Sequence, residues 1–132
     1  ESNLWYMDNA AGSWSTPQRI VTAMDDLGQS YGGYRYDYRI AITAGTVYVA
    51  YDDRAPGHAA TPYGYHDVFL AIHPKGGSWT RERVTQDPNN CVKAQVALVA
   101  RAGRLGLAFI TFGGGACPGP SGPQYALGTR EN

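Results

Sequence analysis

Arg39-Ile-Ala-Ile-Thr-Ala-Gly-Thr-Val-Tyr-Val-Ala-Tyr51 reads as a strand of period two, a short turn ending in Gly45, and a second strand of period two. That alternation puts successive side chains on opposite faces of a sheet. The chain repeats the phrase as Gln95-Val-Ala-Leu-Val-Ala-Arg-Ala-Gly-Arg-Leu-Gly-Leu-Ala-Phe109, with its turn glycine at Gly103, an offset of 58 residues. A second phrase recurs as well. Asn3-Leu-Trp-Tyr-Met-Asp followed by Gly12-Ser-Trp-Ser matches Asp67-Val-Phe-Leu-Ala-Ile followed by Gly77-Ser-Trp-Thr. Gln124-Tyr-Ala-Leu-Gly-Thr-Arg opens a third copy of this phrase. A recurring period of this size marks a repeat architecture in which each copy is one supersecondary unit.

The surrounding sequence favours strands throughout. With 17 Gly and 8 Pro in 132 residues, turn signals fall every few positions and leave little room for helix. Only Pro17 to Leu27 carries a helical pattern. Gln18-Arg-Ile-Val-Thr-Ala fits a strand equally well, and its counterpart after Trp79, Thr80-Arg-Glu-Arg-Val-Thr, favours the strand. One unit is therefore written as four strands near 38–43, 47–52, 67–73 and 80–86. The next supplies 94–100, 105–112 and 124–130. The N-terminal segment supplies a third and a fourth strand, 4–8 and 18–23. The fold class expected is all-β. The chain is a single segment of propeller-type blades, each of four antiparallel strands, amounting to about two blades. Its divisions are a partial blade over 1–24, a full blade over 34–87 and a partial blade over 92–132, so the chain is expected to open and close in mid-blade.

Charge and hydropathy narrow the function. Eleven Lys and Arg balance eleven Asp and Glu. With no basic field to attract phosphates, a nucleic-acid partner is not expected. No apolar run approaches the roughly 20 residues of a membrane-spanning helix. Cys91 lies in the loop leading into one strand pair and Cys117 in the loop leaving it, which is the same end of a hairpin. A Cys91–Cys117 disulfide is expected, against the alternative of two buried thiols. Non-reducing mass spectrometry would show it as a deficit of two hydrogens. Such a bridge implies an extracellular, secreted protein.

The glycine turns carry a resemblance. Gly76-Gly77-Ser78-Trp79 is similar to the Gly-x-Thr-Trp end of the Asp-box found in sialidase-like propellers, between strands three and four of a blade. Gly12-Ser13-Trp14 matches it less fully. Asn9 and Pro74 stand where the box has its Asp. The resemblance implies a β-propeller with Trp14 and Trp79 packed between blades. Tyr38-Arg39-Ile40-Ala41 also resembles the sialidase Tyr/Phe-Arg-Ile-Pro motif without its Pro, and Arg54 stands where those enzymes carry another Arg after strand two. If that likeness extends to hydrolysis, Arg39 and Arg54 grip a substrate carboxylate and Asp53 or Asp67 acts as the acid. In that family the remaining arginines, the nucleophilic Tyr and its partner Glu come from later blades.

Two long loops hold the candidate binding residues. In such blades the loop before strand one and the loop between strands two and three lie at the same end. Here these are Asp25 to Tyr38 and Asp52 to Asp67. They contain six of the ten tyrosines and two of the three histidines, a density that suits stacking on sugar rings. The candidate ligand residues are Tyr31, Tyr34, Tyr36, Asp53, Arg54, His58, Tyr63 and Tyr65; carboxylates and Arg supply paired hydrogen bonds to vicinal hydroxyls. The competing reading is that these tyrosines simply cover glycine-rich backbone. His58, His66 and His73 lack metal-ligand spacing and read as surface loop histidines. Asp25-Asp26 and Asp52-Asp53 are the candidates for Ca²⁺; no other cofactor is expected. The favoured function is a lectin-like carbohydrate-binding module that partners a glycan or small polar ligand and is completed by self-association or by other chains. The alternatives are part of a sialidase-like glycoside hydrolase, or a structural subunit of an extracellular assembly.

Overall fold

The computed structural model describes residues 4–20, 38–54, 66–86, 92–112 and 122–128. Among the described residues nine strands follow in order: β1 (Trp5–Tyr6), β2 (Gln18–Arg19), β3 (Tyr38–Thr43), β4 (Thr46–Arg54), β5 (His66–His73), β6 (Thr80–Arg83), β7 (Val92–Arg101), β8 (Arg104–Phe112) and β9 (Gly122–Gly128). No helix occurs among the described residues, and none is long and apolar enough to cross a membrane. The strands form three separate antiparallel sheets: a ribbon β1-β2, a four-stranded meander β3-β4-β5-β6, and a three-stranded meander β7-β8-β9. The two copies of the opening phrase are thus β3-β4 and β7-β8. They take the first and second positions of different sheets.

The repeated hairpin is built the same way both times. Ala44 and Gly45 have φ of 48° and 76°, and Ala102 and Gly103 have φ of 49° and 76°. Positive φ at both central residues matches the right-handed twist of the flanking strands and closes a two-residue turn. The register follows from it: Thr43 faces Thr46 in the first copy and Arg101 faces Arg104 in the second. Gly103 N–H donates to Thr43 Oγ1 at 3.4 Å, tying the two turns together. The copies differ at the far end, where the β7-β8 register shifts between Ala94 and Ala97.

The middle strands of the central sheet, β4 and β5, are covered on both faces. On one side Tyr48, Ala50, Val68, Leu70 and Ile72 form a core with Val96, Leu105, Leu107 and Phe109 of the C-terminal sheet. On the other side Val47, Val49, Tyr51, Phe69 and Ala71 pack with Leu4, Tyr6 and Ile20 of the N-terminal segment and with Trp79. A strand covered on both faces needs no polar side, which is why Val68-Phe-Leu-Ala-Ile72 is an unbroken apolar run, buried throughout. Each fully buried side chain of this size contributes about 1.5–3 kcal/mol.

Three expected strands are shorter than their sequence pattern, and the one expected over 18–23 ends at Arg19, with 21–23 outside the described residues. The strand expected over 80–86 ends at Arg83, because the N–H groups of Val84 and Thr85 both turn to Val68 O, at 2.8 and 3.4 Å. The strand expected over 4–8 is only Trp5–Tyr6. Beyond it, Asp8 N–H donates to Ser15 Oγ and Ser15 N–H to Asp8 O, closing the Gly12 turn early. Trp79 packs as expected between neighbouring units. It meets Tyr6 edge-on at 5.3 Å and donates from Nε1 to Gln18 Oε1 at 3.3 Å. Trp14 is instead 68% exposed.

Candidate functional site

The end of the central sheet opposite the Ala44-Gly45 turn holds Asp52, Asp53, His66 and Asp67. Tyr38 opens β3 opposite Tyr51, and Arg54 closes β4 opposite His66. The stretches 31–37 and 55–65 therefore both join the sheet at this end. Asp52 and Asp53 of β4, and His66 and Asp67 of β5, project alternately to its two faces.

Asp53 and Asp67 sit directly opposite each other on the face toward the N-terminal ribbon. They are 4% and 2% exposed, and two buried like charges side by side require cations. Strand β6 provides both. Arg83 sits across from Phe69 and Arg81 across from Ala71, on the same face. Arg81 Nη2 donates to Asp53 Oδ2 at 2.7 Å, reaching over the intervening strand with its guanidinium 3.8 Å above the Phe69 ring. Arg83 donates to Asp67 Oδ2 through Nε at 2.8 Å and through Nη2. Thr85 completes the cluster. Its hydroxyl donates to Asp67 Oδ1 at 2.7 Å and accepts from Val68 N–H at 3.0 Å.

Tyr51 lies beneath this cluster, stacked on Phe69 at 5.9 Å. Its hydroxyl is buried without a hydrogen-bond partner. Burial pushes its pKa well above the ordinary tyrosine range; Arg81 works against this and Asp53 adds to it. Tyr51 is thus a neutral phenol across all physiological pH.

The opposite face carries a second pair. Asp52 Oδ2 accepts from His66 Nδ1 at 2.8 Å. Asp52 Oδ1 is buried with no partner. The adjacent carboxylates of Asp52 and Asp53 therefore point to opposite sides of the sheet. Among the described residues no group of three His, Cys, Asp or Glu is arranged to hold a metal ion.

Of the candidate residues, Asp53 and Asp67 lie together and are engaged by arginines. Arg39 is exposed, donates to Tyr38 O at 2.9 Å, and pairs with Ala50, on the face opposite to the two acids. Arg54 closes β4. Tyr31, Tyr34, Tyr36, His58, Tyr63 and Tyr65, the Asp25-Asp26 pair, and Cys91 and Cys117 lie outside the described residues. His66 and His73 are not loop residues: they are the half-buried ends of β5, and His73 packs 4.9 Å from Trp79. Sequence reasoning missed Arg81, Arg83 and Thr85. The alternation Thr80-Arg-Glu-Arg was the available signal, since it sets two cations on one face of a strand. No family model, curated protein or solved structure matches this chain.

Proposed function

We propose that this chain is a secreted, lectin-like module of a β-propeller-type repeat array, and that it binds carbohydrate at the end of the central sheet carrying 31–37 and 55–65. The observation that supports the reading is the strand register. Both tyrosine-rich stretches are rooted at one end of one sheet, at Tyr38 and across the Arg54–His66 pair. The Asp53–Arg81 and Asp67–Arg83 pairs brace those roots, and a rigid base lowers the entropic cost of ordering binding loops. In this scheme Asp53 and Asp67 hold the frame. Tyr31, Tyr34, Tyr36, Tyr63 and Tyr65 supply stacking faces, and Arg54 and His58 supply hydrogen bonds.

Binding is favoured over sialidase-like hydrolysis for one reason. Arg39 belongs to the opposite face of the sheet from Asp53 and Asp67, whereas a carboxylate clamp and its acid must converge on one sugar. A glycan array, followed by titration of Tyr34→Ala and Tyr63→Ala, tests the proposal. Each substitution is expected to weaken binding about ten-fold, roughly 1–2 kcal/mol, with folding unchanged. Turnover of a fluorogenic sialoside would favour the hydrolase reading. An array with no binding and no turnover would leave a structural subunit.

A further inference from the structure

The repeat makes buried and exposed positions directly comparable, and one face fails the comparison. With the offset of 58 set by the two hairpins, Tyr38, Ile40 and Ile42 correspond to Val96, Leu98 and Ala100. The second set is buried or half-buried in the core shared with the central sheet. The first set is 59%, 54% and 62% exposed. The N-terminal ribbon shows the same deficit. Trp5 occupies the place of Phe69 in the second repeated phrase, with Arg19 opposite it as Arg83 is opposite Phe69. Phe69 is 3% exposed beneath the ribbon, whereas Trp5 is 55% exposed. Each of these two units thus leaves apolar side chains uncovered on its own leading side, the side that a following unit turns toward the unit before it; in the central sheet these are Tyr38, Ile40 and Ile42.

The trailing face at the other end of the stack is also apolar. Val99, the counterpart of Ala41, is 63% exposed, and Gly106, Ala108 and Ile110 follow it across β8 on the same side. The two faces complement each other in volume. The internal interface places large Tyr48 in one core with small Ala100. At the corresponding outer positions the trailing face has small Gly106 and the leading face has large Ile42. Bulk removed from one side is restored on the other, and the part of the leading face left open is β3, since the ribbon already covers Val47, Val49 and Tyr51.

We propose that the leading face, centred on Tyr38, Ile40 and Ile42, docks the trailing face of a second copy of this chain, around Val99 and Ala108. The contact is head to tail, so each copy keeps one face open for the next. The driving force is apolar burial, and association should be nearly insensitive to salt.

Sedimentation velocity on the purified chain tests this with two variants. Ile42→Asp places a charge on the leading face and Val99→Asp places one on the trailing face; both sites are exposed in the single chain. The wild-type protein is expected to grow in mass with concentration. Each variant alone should associate at least about 100-fold more weakly, because an unpaired charge would be buried. An equimolar mixture should form dimers and stop there, since one intact leading face and one intact trailing face remain. A monomeric wild-type chain at its solubility limit overturns the proposal. So does a mixture that stays monomeric, association that survives both substitutions, or self-association of Val99→Asp alone, which would mean leading face against leading face. If circular dichroism shows that an Asp variant is unfolded, Ile42→Thr and Val99→Thr replace the pair and keep the strand propensity. Their expected weakening is about ten-fold each, with the same dimer in the mixture.

Discussion

Thr85 should be worth more to this fold than its size suggests, and a nearly isosteric substitution isolates the reason. It lies just past β6, 9% exposed, and its hydroxyl accepts from Val68 N–H and donates to Asp67 Oδ1. Thr85→Val preserves shape and leaves no cavity, so only the two hydrogen bonds are lost. Val68 is fully buried, and an orphaned N–H there costs about 1–3 kcal/mol. Asp67 keeps Arg83, so its lost bond adds only about 1 kcal/mol. The added methyl returns about 0.8 kcal/mol. The expected net loss is about 1–3 kcal/mol. Thr85→Ser keeps both bonds and loses one methyl, about 1 kcal/mol. Urea unfolding at neutral pH reads the difference. With a slope of about 1–3 kcal/mol per molar, Thr85→Val should lower the midpoint by about 1 M, and Thr85→Ser by about half as much. If valine costs no more than serine, the hydroxyl is not what ties β6 to Val68, and the argument fails.

Two further outcomes follow from the same sheet. Tyr51→Phe removes a buried hydroxyl that has no partner, so it should stabilise the protein by about 1 kcal/mol, read as a higher urea midpoint. Tyr51 also predicts alkaline behaviour: its folded pKa is raised above the ordinary 10.0, so above that pH only the unfolded chain loses the proton. Stability should then fall by about 1.4 kcal/mol per pH unit, and Tyr51→Phe should flatten that slope in unfolding curves taken at increasing pH. Ala44 and Ala102 hold positive φ, where an L-residue other than Asn or Gly is strained. Ala44→Asn and Ala102→Asn should each raise the thermal midpoint, by about 0.5–1 kcal/mol of stability, and an unchanged or lower midpoint would count against the turn assignment.

What the sequence determined by itself was local and repeated. Period-two alternation and the turn glycines Gly45 and Gly103 specify the strands and hairpins, because side-chain direction and positive φ are decided within a few residues. Copying the same phrase 58 residues later was enough to say that β4 and β8 take equivalent positions in different sheets. Tertiary structure decided what each face meets. Nothing local distinguishes Ile40 from Leu98, yet the first is exposed and the second is packed, because burial depends on whether another sheet lies above. The same holds for the ionisable groups. Asp53 reads from sequence as a loop carboxylate beside Arg54, but its partner is Arg81, 28 residues on and two strands across, reached over the ring of Phe69. That pairing depends on the registers of β4 with β5 and of β5 with β6 together. Such long-range alignment emerges only when the sheet closes over its core.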